Sequence, residues 1–131
     1  TLYAMHDPLS DFLNKLKMAS RQGLESFSFP SSRFILAVAG ALEKQGYLAV
    51  GKKVKKGRQI ELRLSSDTAK RPVTGVRRVS RLSKRVYRPA RVLFPIRNGF
   101  GAAFVSTAKG VLSDTEARAA GTGGEVLFEI W

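Results

Sequence analysis

The sequence predicts an α+β fold in two small lobes. Three observations carry that prediction. Apolar residues recur at helical spacing in the first part of the chain. Several short stretches alternate apolar and polar residues at strand spacing. A polar segment ending in proline separates the two groups of elements. The length of 131 residues suits one domain or two lobes sharing a core.

The first helix opens at Asp7-Pro8. Asp7 can cap it, and Pro8 suits the first helical position, where no N–H is needed. Leu9, Phe12, Leu13 and Leu16 fall at i, i+3, i+4 and i+7, one apolar stripe. Lys15, Lys17 and Arg21 lie toward the end favoured by positive charge, and Gly23 is the expected stop. Ser26-Phe27-Ser28-Phe29 alternates as a short strand, and Pro30 ends it. Ser31 or Ser32 then caps a second helix with apolar positions Phe34, Ile35, Val38, Ala39 and Leu42, ending at Gly46. Tyr47 to Val50 and Gln59 to Leu64 read as a hairpin joined by a lysine loop, 52–58.

Ser65 to Pro72 holds no large apolar residue and reads as the linker, which divides the chain into an α/β lobe at 1–67 and a β-rich lobe at 68–131. Strands are expected at Val73 to Val79, at Arg85 to Tyr87, and at Ala102 to Val105 after a turn at Gly99 to Gly101. Arg88 to Asn98, with two prolines, is expected to be irregular. Ser113 and Glu116 form a capping box for a two-turn helix at 114–120. Gly121, Gly123 and Gly124 break it, and Glu125 to Trp131 is the last strand, with Val126, Phe128 and Ile130 expected on one face.

The charge is lopsided. Twenty-three Lys and Arg against ten Asp and Glu give a net charge of +13, which favours a polyanionic partner. Ten cations and no acid lie between Lys70 and Arg97. Lys52, Lys53, Lys55, Lys56 and Arg58 form a second cluster. Arginine presents a planar fork to phosphates and base edges, whereas lysine supplies diffuse attraction. With no cysteine and a single histidine, His6, neither thiol chemistry nor a Cys- or His-based metal site is expected, and no cofactor is implied. The longest apolar run, Phe34 to Leu42, is too short to span a membrane, and no signal-peptide pattern is visible.

Enzyme chemistry has little material. Gly99-Phe100-Gly101-Ala102-Ala103-Phe104 lacks the third glycine of a dinucleotide fingerprint and precedes a strand rather than a helix. Asp7 and Asp11 are explained by the helix N-terminus they sit in. Ser106 has no histidine base in its own lobe. More informative is Val105-Ser106-Thr107-Ala108-Lys109-Gly110. Hydroxyls at a strand end can reach phosphates, base edges or a 2′-OH, Lys109 can neutralise a phosphate, and Gly110 permits close backbone approach.

These residues also carry a family resemblance. Gly99-Phe100-Gly101, Val105-Ser106-Thr107-Ala108-Lys109-Gly110-Val111, Ala117-Arg118 and Gly121-Thr122-Gly123-Gly124-Glu125 together resemble the signature of the bacterial-type eighth protein of the small ribosomal subunit. Asp7-Pro8-Leu9-Ser10-Asp11, Phe29-Pro30-Ser31-Ser32-Arg33, Gln45-Gly46-Tyr47 and Arg78-Val79-Ser80-Arg81 with Val86-Tyr87 extend the resemblance over nearly the whole chain. It implies a primary binder of an irregular helix in the central domain of small-subunit rRNA, which helps assemble the platform. Its implied partners are that rRNA, neighbouring small-subunit proteins and, in some bacteria, its own operon mRNA. By motif position, Ser106, Thr107, Lys109 and Gly110 are expected at the RNA, with Gly124 and Glu125 beside them and Tyr87 near a base or sugar. Arg81 and Arg85 are counted with them, and Ser31, Ser32 and Arg33 are the first lobe's backbone contacts.

The chain departs from the family pattern in three places. Ala108 stands where serine is common, Arg81-Leu82-Ser83-Lys84 replaces an Arg/Lys-Pro-Gly turn, and 15–23 differs after the first helix. These departures fit a ribosome in a divergent bacterium's cytoplasm, a mitochondrial matrix or a plastid stroma. Two other classes stay in view: a generic basic protein that binds polyanions without specificity, and a serine-dependent enzyme using Ser106. A DNA-binding role lacks a recognition helix, since both long helices have stripes committed to the core.

Overall fold

The computed structural model describes residues 7–64, 73–93 and 101–131. The chain divides into two compact units, one over Pro8–Thr74 and one over Gly75–Trp131 that also takes in Asp7. The expected linker at 65–72, the turn at Gly99-Phe100 and the segment 94–98 lie outside the described residues.

In the first unit, α1 (Pro8–Arg21) buries the predicted stripe of Leu9, Phe12, Leu13 and Leu16, with Ala19 added. β1 (Ser26–Pro30) alternates as expected and turns Phe27 and Phe29 inward. Phe12 packs against both, its ring 6.0 Å from Phe27 and edge-on to Phe29 at 5.2 Å. α2 (Arg33–Lys44) is capped by Ser32, whose side chain accepts the Ile35 N–H at 3.1 Å. Its buried arc is Ile35, Val38, Ala39, Ala41 and Leu42. Phe34 was expected on that arc, but it sits at its edge in the first turn and is 41% exposed.

β2 (Ala49–Val54) and β3 (Gln59–Arg63) form the predicted hairpin, and β1 adds to it in the order β1-β3-β2. The expected loop at 52–58 is shorter than the sequence suggests. Pairing persists to Val54 opposite Gln59, across a register shift between Val50 and Lys53. The turn itself is Lys55 to Arg58. Lys55 and Lys56 take φ of 53° and 58°, a region that costs an L side chain about 1–2 kcal/mol. The Ser31 hydroxyl donates to the Gly57 carbonyl at 2.7 Å, and the Ser31 N–H donates to the Arg58 carbonyl at 2.9 Å, so the residue that follows β1 fixes the turn.

The second unit is a five-stranded antiparallel sheet with one short helix. Its centre is β8 (Gly124–Ile130) against β6 (Ala102–Thr107). β4 (Val76–Arg78) and β5 (Tyr87–Arg88) pair successive parts of β8 on its other side. Both are shorter than or displaced from the stretches expected at 73–79 and 85–87. A single turn of tighter helix, Ala90–Val92, follows within the segment expected to be irregular. β6 runs two residues past its expected end because β7 (Gly110–Ser113) folds back on it, a strand the sequence reading did not anticipate. α3 (Asp114–Ala120) carries the predicted capping box, with both Ser113 and Glu116 bonds formed.

One facial assignment is overturned. Phe128 pairs with Phe104, but Val126 pairs with the next residue, Val105, so Leu127 is an extra residue in β8. This bulge puts Val126 and Phe128 on opposite faces. Val126 packs with Ala103, Val105, Ala117 and Leu93, while the Phe128 ring stacks on Phe104 at 5.1 Å. Both faces of the central pair are therefore buried.

Phe128→Ala is expected to destabilise the protein by about 3–5 kcal/mol, read by chemical denaturation. Lys56→Gly is expected to stabilise it by about 0.5–1 kcal/mol, since glycine accepts the positive φ freely and loses only backbone entropy.

Candidate nucleic-acid interface

Pleating and register gather most of the predicted residues at one end of the second sheet. Tyr87 pairs with Glu125, Glu125 with Ser106, and Ser106 with Val111, which makes a row across β5, β8, β6 and β7. Partners in such a row share a face. In the neighbouring row Arg88 lies opposite Gly124, and Thr107 opposite Gly110. Tyr87 is 61% exposed, and Lys109 lies exposed at the β6–β7 turn.

Gly124 is what lets the row close. A Cβ there would be driven into the Ser106 carbonyl and would stand 3.2 Å from the Thr107 Cα. Only a residue without a side chain lets β8 lie this close to the end of β6.

The turn is stapled by its own threonine. The Thr107 hydroxyl donates to the Gly110 carbonyl at 2.8 Å and accepts the Lys109 N–H at 3.0 Å. Thr107 therefore shapes the tip as well as lying in it. The Ser106 hydroxyl has no such tie among the described residues and is half-buried on the other face of the strand. Ala108 occupies the exposed apex beside Lys109.

Glu125 has a supporting role that the sequence does not suggest. Its carboxylate accepts the Ser80 hydroxyl proton at 2.5 Å and pairs with Arg85 at 3.2 Å. Ser80 is fully buried, and its oxygen also accepts the Val86 N–H at 3.1 Å. The Arg81-Leu82-Ser83-Lys84 turn, which departs from the family pattern, closes by two backbone bonds between Arg81 and Lys84 at 3.0 and 3.1 Å. Glu125 thus moors a cationic turn to the centre of the sheet. Ser80 is absent from the expected site residues, because its tie to Glu125 spans 45 positions of the chain.

The acids of this unit are all engaged internally. Asp114 accepts the Ala103 N–H and pairs with Arg118 at 2.8 Å, and Arg118 also reaches the Leu93 carbonyl. Glu116 completes the capping box, and Glu129 pairs with Arg77. The cation stretch around 70–97 is accordingly less bare than its sequence. Arg77, Arg78 and Arg85 find acids from elsewhere in the chain, Arg78 pairing with Asp7 at 2.7 Å. Arg81, Lys84, Arg88, Arg91 and Lys109 are exposed and form no ion pair among the described residues.

In the first unit the predicted residues divide. Ser31 is tied to the Lys55–Arg58 turn and Ser32 to the helix it caps, so both hydroxyls serve the fold. Arg33 is exposed in a first helical turn that holds no acid. Among the described residues no group of three or more His, Asp or Glu side chains is placed to hold a metal ion. No described helix is long and apolar enough to cross a membrane.

Known proteins match this chain over nearly its whole length. The family model described as Ribosomal protein S8 matches residues 7–131. The small ribosomal subunit protein uS8 of Neisseria meningitidis serogroup C is 40% identical over 128 residues, covering 95% of this chain and 96% of that protein. The uS8 of Laribacter hongkongensis is 40% identical over 129 residues, covering 95% and 96%. That of Prochlorococcus marinus is 38% identical over 130 residues, covering 96% and 98%.

Glu125→Ala is expected to cost about 1.5–3 kcal/mol, the loss of charge-assisted bonds with a buried hydroxyl left unpaired. Thermal unfolding would show it, and Arg85→Ala, at an exposed pair, should cost under about 1 kcal/mol by the same assay.

Proposed function

The chain belongs to the ribosomal protein S8 family, and we propose that it binds an irregular helix in the central domain of small-subunit rRNA and helps assemble the platform. It is a non-enzymatic structural protein of the small ribosomal subunit. The relatives compared are bacterial, which supports a ribosome of bacterial type. Neighbouring small-subunit proteins belong to the same proposal, as does the chain's own operon mRNA where it carries a similar element.

The observation that carries this reading is the row Tyr87–Glu125–Ser106 beside the exposed Lys109 tip, flanked by cations without ion pairs. An A-form helix hides its base edges in a deep, narrow major groove and displays 2′-hydroxyls and a shallow minor groove. A thin two-residue turn, Ala108-Lys109, flanked by the Thr107 hydroxyl and by Gly110, can enter that minor groove where a bulky loop cannot. Ser106 supplies a donor and acceptor for a 2′-OH or base edge, and Tyr87 supplies a ring face for an unstacked base. Glu125 holds the geometry, and Gly124 sets how near β8 comes. Arg81, Lys84, Arg85, Arg88 and Lys109 release counterions from phosphates, which gives affinity without sequence preference. Ser31, Ser32 and Arg33 are proposed as backbone contacts of the first unit, with Arg33 the side chain free of an internal role.

A gel-shift titration against the central-domain rRNA helix, with excess tRNA and at two salt concentrations, tests the reading. Specific binding should survive the competitor. Ser106→Ala is expected to weaken specific binding by about 1–2 kcal/mol and to leave binding to tRNA unchanged. Lys109→Ala should lower the salt slope by roughly 0.7–0.9 for both RNAs. Complete loss of binding under competitor would leave a generic polyanion binder instead.

A further inference from the structure

Two members of the Tyr87–Glu125–Ser106 row are held by one residue outside it. Ser80 is fully buried, and its side chain takes part in two bonds. Its hydroxyl donates to a Glu125 carboxylate oxygen at 2.5 Å and accepts the Val86 N–H at 3.1 Å. Val86 precedes Tyr87, which opens β5 opposite Glu125. A single hydroxyl therefore touches the carboxylate directly and sets the chain that delivers the aromatic ring.

The backbone of Ser80 is fixed as firmly. Its N–H donates to the Val126 carbonyl at 3.0 Å. Its carbonyl accepts Arg78 Nε at 3.0 Å and Nη2 at 2.5 Å. The Val126 N–H in turn donates to the Val86 carbonyl at 2.9 Å. Ser80 and Val86 thus flank one residue of β8, and the chain between them leaves the sheet edge and returns to it. The Ser80 hydroxyl bridges the base of that excursion, and the Arg81–Lys84 backbone bonds close its tip.

Packing alone does not call for a hydroxyl here. Alanine would fill nearly the same volume without taking a polar group out of water. What serine adds is direction, with one donor and two acceptor positions on a short, fixed stem. A buried polar network with every member satisfied selects one arrangement over its neighbours, and no described buried side-chain polar atom lacks a partner. Without the hydroxyl, the Val86 N–H loses its partner. Glu125 then keeps Arg85 alone among the described residues, and that arginine is half-exposed. The carboxylate can follow it outward, away from its place between Tyr87 and Ser106.

We propose that Ser80 is a positioning residue for RNA recognition: it touches no RNA, and it holds Glu125 and Tyr87 in the geometry that distinguishes an irregular helix from other RNA. The inference rests on the reading of the chain as a specific RNA binder. A buried, uncharged residue adds nothing to phosphate attraction, so the effect of Ser80 falls on discrimination and leaves the electrostatic affinity in place.

The test titrates the full chain and its Ser80→Ala variant against the central-domain rRNA helix and against tRNA. Thermal unfolding of each protein sets a temperature well below both midpoints, so lost stability does not enter the binding. Ser80→Ala is expected to bind the rRNA helix about tenfold more weakly, the effect of one or two hydrogen bonds, with tRNA affinity and the salt slope unchanged. In a Glu125→Ala background the same change should weaken binding clearly less, because a residue that acts through Glu125 is non-additive with it. A folded Ser80→Ala with the wild-type ratio of the two affinities overturns the proposal. So does an equal weakening toward both RNAs, or full additivity with Glu125→Ala. Where Ser80→Ala does not fold, Ser80→Cys decides, since a thiol of similar size donates and accepts only weakly. Lost discrimination in that variant supports the proposal, and a wild-type ratio overturns it. A wild-type protein that does not separate the helix from tRNA removes the specific reading and this inference with it. A discriminating wild type beside an equally discriminating variant removes this inference alone.

Discussion

β8 runs antiparallel to β6 from Ile130 to Glu125, and the exposed features of the second unit hang from that ladder. At one end Gly124 lets the two backbones meet where Ser106 and Thr107 leave the core. In the middle the Leu127 bulge turns Val126 toward α3 and Phe128 toward Phe104, so both faces of the pair are filled. Along its other edge β8 receives β4 and β5, and Glu125 reaches from it to moor the 81–84 turn through Ser80 and Arg85. A rigid strand pair thereby sets the positions of an aromatic ring, a hydroxyl and several cations that come from distant parts of the sequence.

Much of this was legible in the residues, and the limits have physical causes. The α1 stripe, the β1 alternation, a serine cap on α2 (Ser32 of the two candidates) and the Ser113–Glu116 capping box are local, and each appears where the spacing puts it. What failed depends on partners. β7 is four residues long and begins with glycine, so it has no periodicity of its own and exists because β6 offers it an edge. The Val126–Phe128 inversion follows from a bulge that is defined only against β6. Phe34 satisfies helical spacing but lies in the first turn, beyond the part of α2 that is covered. At the candidate site, the tip residues 106–110 were legible as a string. The dual engagement of the Thr107 hydroxyl and the mooring role of Glu125 were not, since neither can be read without the fold.

The electrostatics follow a simple division. The acids of residues 68–131 are Asp114, Glu116, Glu125 and Glu129, and each is spent on a cap, a buried hydroxyl or an arginine of the same unit. Compensation therefore takes place inside the unit, and the excess positive charge is left at the exposed 81–91 segment and the Lys109 tip. In the first unit Glu61 pairs with Arg63, and Lys55, Lys56 and Arg58 stay exposed. Net charge alone predicts a polyanionic partner. Where the acids are spent determines which surfaces keep the excess positive charge.

The short outer strands bear on the chain's behaviour as a lone molecule. A sheet edge is an open row of N–H and C=O groups that another copy can extend, and aggregation begins on such rows. Here the long strands β6 and β8 are interior, while the outer positions are held by β7, β4 and β5, of four, three and two residues. In the smaller sheet one outer strand ends in Pro30, which has no N–H to offer, and the other is broken in register and carries Lys53. A polycation made away from its polyanion repels its own kind at long range. These blunted edges extend that protection to contact distance, where salt has screened the charge.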